Sequence, residues 1–128
     1  MSDKPVVLLR PAPQITSRIF TDEALRRLHD RYTVIDGEVD PSEELIESCL
    51  PDVMAIIGQP DLPRERLDRA PRLRGILNVE GNFFQNVDYD ACFERGINVV
   101  ACMPTYAQAV AEFSLGLAID LARGISRE

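Results

Sequence analysis

Few residues in this chain are of a type that could do chemistry, and most of them stand where chemistry is not expected. His29 is the only histidine, so an imidazole acting as general acid or base would have to be this residue. It follows Leu28 in the charged run Arg26-Arg27-Leu28-His29-Asp30-Arg31, the pattern of a solvated helix face, and reads as a surface histidine. Cys49, Cys92 and Cys102 are odd in number and lack any C-x-x-C pairing. Neither a disulfide framework nor a zinc site is expected from them, and no metal-ligating residue is assigned; buried thiols in a reducing compartment fit better. The acidic pairs Asp22-Glu23 and Glu43-Glu44 read as helix-start acids favoured by the macrodipole. The unusual stretch is Asn78-Val79-Glu80-Gly81-Asn82-Phe83-Phe84-Gln85-Asn86. Gly81 is expected to let the backbone turn sharply and present successive N–H groups to an anion such as a carboxylate. The competing reading is a polar turn with Phe83 or Phe84 tucked into the core, and spacing alone favours it.

The elements that would position this loop are legible from short apolar runs alternating with helical stretches. The runs Val6–Leu9, Thr33–Ile35, Val53–Ile57, Gly75–Val79 and Ile97–Ala101 are rich in Val and Ile and lack polar alternation, as strands covered on both faces require. Between them, Thr21 is expected to cap a helix with Phe20 stapled onto Leu25. Asp40 caps a second, with Pro41 at its first position and Glu43 in the capping-box slot. Pro63 opens a third, running towards Ala70. Asp88 caps a fourth that ends at Gly96, and Thr105 opens a fifth, with Gln108 completing a capping box. Right-handed crossovers then predict an α/β, flavodoxin-like three-layer fold with a five-stranded parallel sheet in the order 2-1-3-4-5. Ligands bind such sheets beyond the carboxyl ends of the strands. Here those loops are Arg10–Gln14, Asp36–Glu38, Gly58–Leu62, Glu80–Asn86 and Cys102–Thr105.

Composition removes several classes of function. The 128 residues suit a single domain, of a size that hides about two-thirds of its unfolded surface. With 45% hydrophobic and 27% charged residues the chain reads as a soluble globular protein. No segment approaches the ~20 apolar residues needed to cross a bilayer. A net charge of −7 argues against nucleic acid or an anionic membrane as partner. Met1-Ser2-Asp3-Lys4 has no apolar signal core behind it, so a cytoplasmic location is expected. Flavin mononucleotide needs a hydroxyl- and Gly-rich loop after the first strand, where Arg10-Pro11-Ala12-Pro13 stands. A phospho-receiver needs Asp at the first and third strand exits, which are Arg10 and Gly58. No G-x-G-x-x-G occurs anywhere, so direct dinucleotide binding is not expected and no cofactor-binding residue is assigned.

From about Arg72 onwards a further pattern runs in order. It comprises Leu73-Arg74-Gly75-Ile76-Leu77, Gly81, Asn86-Val87-Asp88, Ala91 and Glu94-Arg95-Gly96-Ile97-Asn98-Val99. Pro104, Ala109-Val110-Ala111-Glu112, Leu117, Leu121 and Arg123 follow. This half of the chain resembles the D-isomer-specific 2-hydroxyacid dehydrogenases, which include phosphoglycerate, glycerate and formate dehydrogenases; the part before Arg72 matches them only in architecture.

The resemblance implies that 1–128 is the substrate-side domain of an NAD(P)-dependent oxidoreductase acting on the CH–OH group of a D-2-hydroxy acid. In that family a Rossmann domain inserted after the long helix carries the dinucleotide fingerprint, and its Arg, Glu and His perform the chemistry. No catalytic residue is therefore assigned here, and this chain alone is expected to be inactive and to bind NAD or NADP weakly if at all. What carries over is the loop Val79, Glu80, Gly81 and Asn82, expected to bind the substrate carboxylate through backbone N–H groups. It reads one residue longer than the family pattern. Glu80 is an unexpected charge there, repelling an anion unless its side chain points away. Thr105-Tyr106-Ala107-Gln108 lacks the Asn that in the family often contacts ligand.

The helix over 105–124 would run between domains. Val110, Phe113, Leu117, Leu121 and Ile125 form its stripe, which Leu115, Ala118, Ile119 and Ala122 widen. An exposed apolar face and self-association, for example as a homodimer, are expected of the chain, unless the helix folds onto its own sheet. The alternative to the enzymatic reading is a stand-alone flavodoxin-like module binding a small carboxylate or a partner protein.

Overall fold

The computed structural model describes residues 4–126, so Met1, Ser2 and Asp3 of the N-terminal stretch read above, together with residues 127–128, lie outside the described residues. Five strands, β1 (Val6–Arg10), β2 (Thr33–Asp36), β3 (Val53–Gly58), β4 (Gly75–Asn78) and β5 (Asn98–Ala101), pair in parallel in the order β2-β1-β3-β4-β5. The register aligns Ile35, Leu8, Ile56, Ile76 and Val99 in one row across the sheet. Alternation of side chains along each strand puts that row on one face. There it meets α3 (Glu43–Cys49), α4 (Arg64–Asp68) and α5 (Tyr89–Glu94) in a core of fifteen buried residues. The other face buries only Val7, Leu9, Ile57 and Val79, under α1 (Thr16–Ile19) and α2 (Asp22–Arg31). Fully burying a large aliphatic side chain contributes roughly 1.5–3 kcal/mol. The α3–α5 face therefore carries most of the burial energy.

Local signals set most helix starts. The Thr21 hydroxyl accepts from the Ala24 N–H at 3.2 Å, and the Asp88 carboxylate from the Ala91 N–H at 2.8 Å. Gly96 takes φ +67° after α5, the left-handed turn expected of it. The second expected cap is corrected: Ser42, not Asp40, accepts from the Leu45 N–H (3.2 Å) and precedes α3. Asp40 accepts from the Ser42 N–H instead (3.0 Å), and Glu43, displaced from the capping-box role, pairs with Arg10 and Arg66. The short α1 has no periodic pattern to announce it. Its start is tied to Glu38, which accepts from both the Thr16 N–H (2.8 Å) and the Thr16 hydroxyl (2.5 Å).

The long helix α6 (Met103–Arg123) begins before Thr105, because Pro104 fits a first turn, where no N–H is needed. The capping box expected at Thr105 and Gln108 does not form; Gln108 donates to Glu112 at 2.8 Å. Gly124 ends the helix at φ +63°. No residue of α6 is buried, and Phe113, Leu115 and Leu121 are 68%, 63% and 71% exposed. Leu77 on β4 and Val100 on β5 are exposed as well, so this helix does not fold onto its own sheet. No helix among the described residues is long and apolar enough to cross a membrane.

Candidate functional site

The carboxyl ends of β1, β3 and β4 are neighbours in the sheet, and their exit loops meet. The closest approach is between Arg10 and Gly58, the last pair of the β1–β3 ladder. Gly58 has φ +135°, and a Cβ placed on it would lie 1.7 Å from the Arg10 carbonyl oxygen. Only glycine allows this approach. The Arg10 guanidinium is anchored through Nη2, which donates to the Pro41 carbonyl (2.9 Å) and Glu43 (3.0 Å), while Nη1 is buried without a partner. Glu43 is held further by Arg66 (2.7 Å), which also binds Glu47 (2.7 Å), itself paired with Arg69. The Arg66 hydrogen bond lowers the Glu43 pKa, and the Arg69 and Arg66 hydrogen bonds lower that of Glu47. This ion network fixes α3 and α4 beside the first strand exit.

The loop Val79–Asn82 leaves the carboxyl end of β4. Val79 points into the smaller core at 6% exposure. Glu80 joins three loops: its N–H donates to Gln59 Oε1 (2.9 Å), its carbonyl accepts from the Cys102 N–H (3.2 Å), and its Oε1 accepts from Gln14 Nε2 (2.8 Å). Of the four backbone N–H groups the sequence points to, that of Glu80 is therefore already used within the fold. Those of Gly81 and Asn82 donate to no described residue. Gly81 is half-buried and outside the left-handed region, and a Cβ there would meet nothing within 4 Å. The sharp glycine-dependent turn expected at Gly81 is thus not what the backbone uses. The loop is shaped by the Glu80 hydrogen bonds instead.

Phe83 and Phe84 are 56% and 41% exposed, so neither is tucked into the core. The Phe83 ring stands edge-on to Tyr89, whose hydroxyl donates to the Phe84 carbonyl. Asn86 closes the loop by donating to the Pro60 carbonyl (3.0 Å), while its own carbonyl accepts from the Leu62 N–H (2.6 Å). A pocket of roughly 310 Å³ results, lined by Pro13, Gln59, Glu80, Phe84 and Asn86. Glu80 is one of the lining residues, with its Oε1 turned to Gln14. A larger cleft of about 610 Å³ lies on the thinly covered face, between Phe20 and Leu28 on one side and Tyr106 on the other.

Sequence reasoning singled out the loop but not the amides around it. Gln14 and Gln59 lie in strand-exit loops flagged as site-bearing, yet nothing in their spacing marks them. Asn78 was missed too: it is the one buried polar residue among the described residues, at 1% exposure, and its amide makes no hydrogen bond. His29 is exposed, as read. Cys49 and Cys92 are buried, whereas Cys102 is only half-buried.

A family model described as "D-isomer specific 2-hydroxyacid dehydrogenase, catalytic domain" matches residues 6–118, so the likeness extends through the half that resembles the family only in architecture by eye. Glycerate dehydrogenase of Hyphomicrobium methylovorum is 28% identical over 127 residues, covering 96% of this chain and 37% of that protein. A phosphoglycerate oxidoreductase from Rhizobium etli superposes with a TM-score of 0.77 at 42% identity, over 95% of this chain and 38% of the other. The NAD-dependent formate dehydrogenase of Staphylococcus aureus, solved with NAD, gives 0.59 at 26% identity, over 95% and 39%. The chain thus spans somewhat more than a third of the relatives it matches. Its parallel sheet, its strand-exit loops and the matched span together show that it belongs to the D-isomer-specific 2-hydroxyacid dehydrogenase family, of which it represents the catalytic-domain portion.

Proposed function

We propose that this chain is the substrate-side half of an NAD(P)-dependent oxidoreductase that interconverts a D-2-hydroxy acid and its 2-oxo acid. The observation that carries the reading is the β4 exit, where the N–H groups of Gly81 and Asn82 stand unused next to a pocket lined by Glu80, Gln59 and Asn86. Two adjacent free N–H donors suit a carboxylate, which accepts through both oxygens. Val79 and Glu80 hold that loop in place, the first by packing, the second through Gln59, Gln14 and Cys102.

The residues present do not fit a dinucleotide. At the first strand exit, where phosphate-binding folds present backbone N–H groups, this chain has Pro11 and Pro13, which have none. The nicotinamide cofactor that supplies or accepts hydride in this reading binds elsewhere in the longer protein. The role of this domain is to bind the acid, orient it and wall off water on one side of the cleft.

The test is the reading frame beyond the codon for Glu128. A strand followed by G-x-G-x-x-G, with Arg, Glu and His downstream, is the expected result. A stop codon there would overturn the reading in favour of a free-standing carboxylate- or partner-binding module.

A further inference from the structure

Glu80 is an acidic residue in the lining of the pocket, next in sequence to the two N–H groups just assigned to the substrate's own carboxylate. One of its oxygens is held by Gln14 Nε2 at 2.8 Å; the other, Oε2, bonds no described residue. No Lys or Arg lines the pocket or pairs with Glu80 among the described residues. Arg10, at the first strand exit, does not line the pocket: its Nη2 is turned to Glu43 and the Pro41 carbonyl, and its Nη1 is buried without a partner. Asn86 lines the same pocket, its amide nitrogen turned to the Pro60 carbonyl and its Oδ1 buried away from the opening. The pocket lining therefore includes one acidic residue and no Lys or Arg.

Resting on the functional reading above, we propose that Glu80 is a specificity-determining residue that restricts the substrate to 2-hydroxy and 2-oxo acids whose remainder is uncharged and hydroxylated. A hydroxyl on that remainder donates to the Glu80 carboxylate, whose Oε2 has no partner among the described residues. A phosphate or second carboxylate brings no proton to donate and meets a like charge in a partly desolvated pocket, where screening is weak. Gln14 and Gln59 act as positioning residues: the first aims the Glu80 side chain, the second fixes its backbone.

The test uses the full-length protein with NADH or NADPH and two 2-oxo acids of similar shape, hydroxypyruvate and oxaloacetate, which differ in bearing a hydroxyl or a carboxylate. The wild type should favour hydroxypyruvate in kcat/KM by at least about tenfold, the discrimination one like-charge contact at reduced dielectric supplies. Glu80→Gln keeps an acceptor for Gln14 and removes the charge, so it should shrink that ratio severalfold, mainly through KM for oxaloacetate. A wild type that favours oxaloacetate, or a ratio unchanged in Glu80→Gln while the variant's unfolding midpoint is retained, would overturn the proposal and leave the broader function standing. Failure to turn over any 2-oxo acid would instead strike the functional reading, and this inference with it.

Discussion

Replacing Gly58 by alanine tests whether the site edge depends on the close approach of β1 and β3. The added Cβ would fall 1.7 Å from the Arg10 carbonyl oxygen and 2.5 Å from its carbonyl carbon, whereas a carbon–oxygen contact normally needs about 3.3 Å. The two strands would have to part by about 1.6 Å at their last ladder pair, the gap between that contact and the one found. Holding a side-chain-bearing residue at φ +135° adds roughly 1–3 kcal/mol, and a lost ladder hydrogen bond about 1 kcal/mol. The sum, about 2–4 kcal/mol, is a large share of the ~5–15 kcal/mol that stabilises a typical domain. In urea unfolding followed by circular dichroism, the midpoint should fall by about 1–2 M for a slope near 2 kcal/mol/M. Gly81→Ala is the control: its Cβ enters open space without a positive φ, and stability should stay within about 0.5 kcal/mol. A Gly58→Ala midpoint matching the control would refute the geometric argument.

Three further outcomes follow from the structure. The folded-state pKa values of Glu43 and Glu47 are lowered by their arginines, so the stability these pairs contribute is present above the ordinary carboxylate pKa of about 4.3 and is lost as pH falls through the lower folded values. Arg66→Met should flatten that acid dependence in unfolding midpoints measured between neutral and acid pH, and an unchanged slope would count against the network. Asn78 buries an unpaired amide, so Asn78→Leu should be neutral or stabilising by up to about 1 kcal/mol; a loss beyond about 1.5 kcal/mol would mean the amide is satisfied in solution. Finally, the exposed α6 face should make the 1–128 chain self-associate in sedimentation runs across a concentration range, with Leu115→Glu and Ile119→Glu restoring the monomer. A monomeric wild type whose variants are destabilised would show that the face is covered within the domain.

The sheet was legible because the strands are short runs rich in aliphatic residues without polar alternation, a pattern kept even where Leu77 and Val100 leave one face of the sheet exposed. Asp88 and Gly96 were legible for a similar reason, since both act within one turn. What failed depended on distant partners. Ser42 displaced Asp40 as a cap because Glu43 is drawn to Arg10 and Arg66 on other elements, and α1 is anchored by Glu38, well along the chain. The loop at Val79–Asn82 was found through Gly81, although the backbone does not need a glycine there. Its shape comes from Gln14, Gln59 and Cys102, which converge only once the strand order is set.

The central claim, that the β4 exit holds the carboxylate of a D-2-hydroxy acid, is tested most directly by steady-state oxidation of paired D- and L-2-hydroxy acids by the full-length protein with NAD or NADP. The account predicts turnover of the D enantiomer, and a raised KM in Gly81→Val, whose side chain crowds the two free N–H groups, at an unchanged unfolding midpoint. Equal turnover of the L enantiomer, or a Gly81→Val variant with wild-type KM, would contradict it.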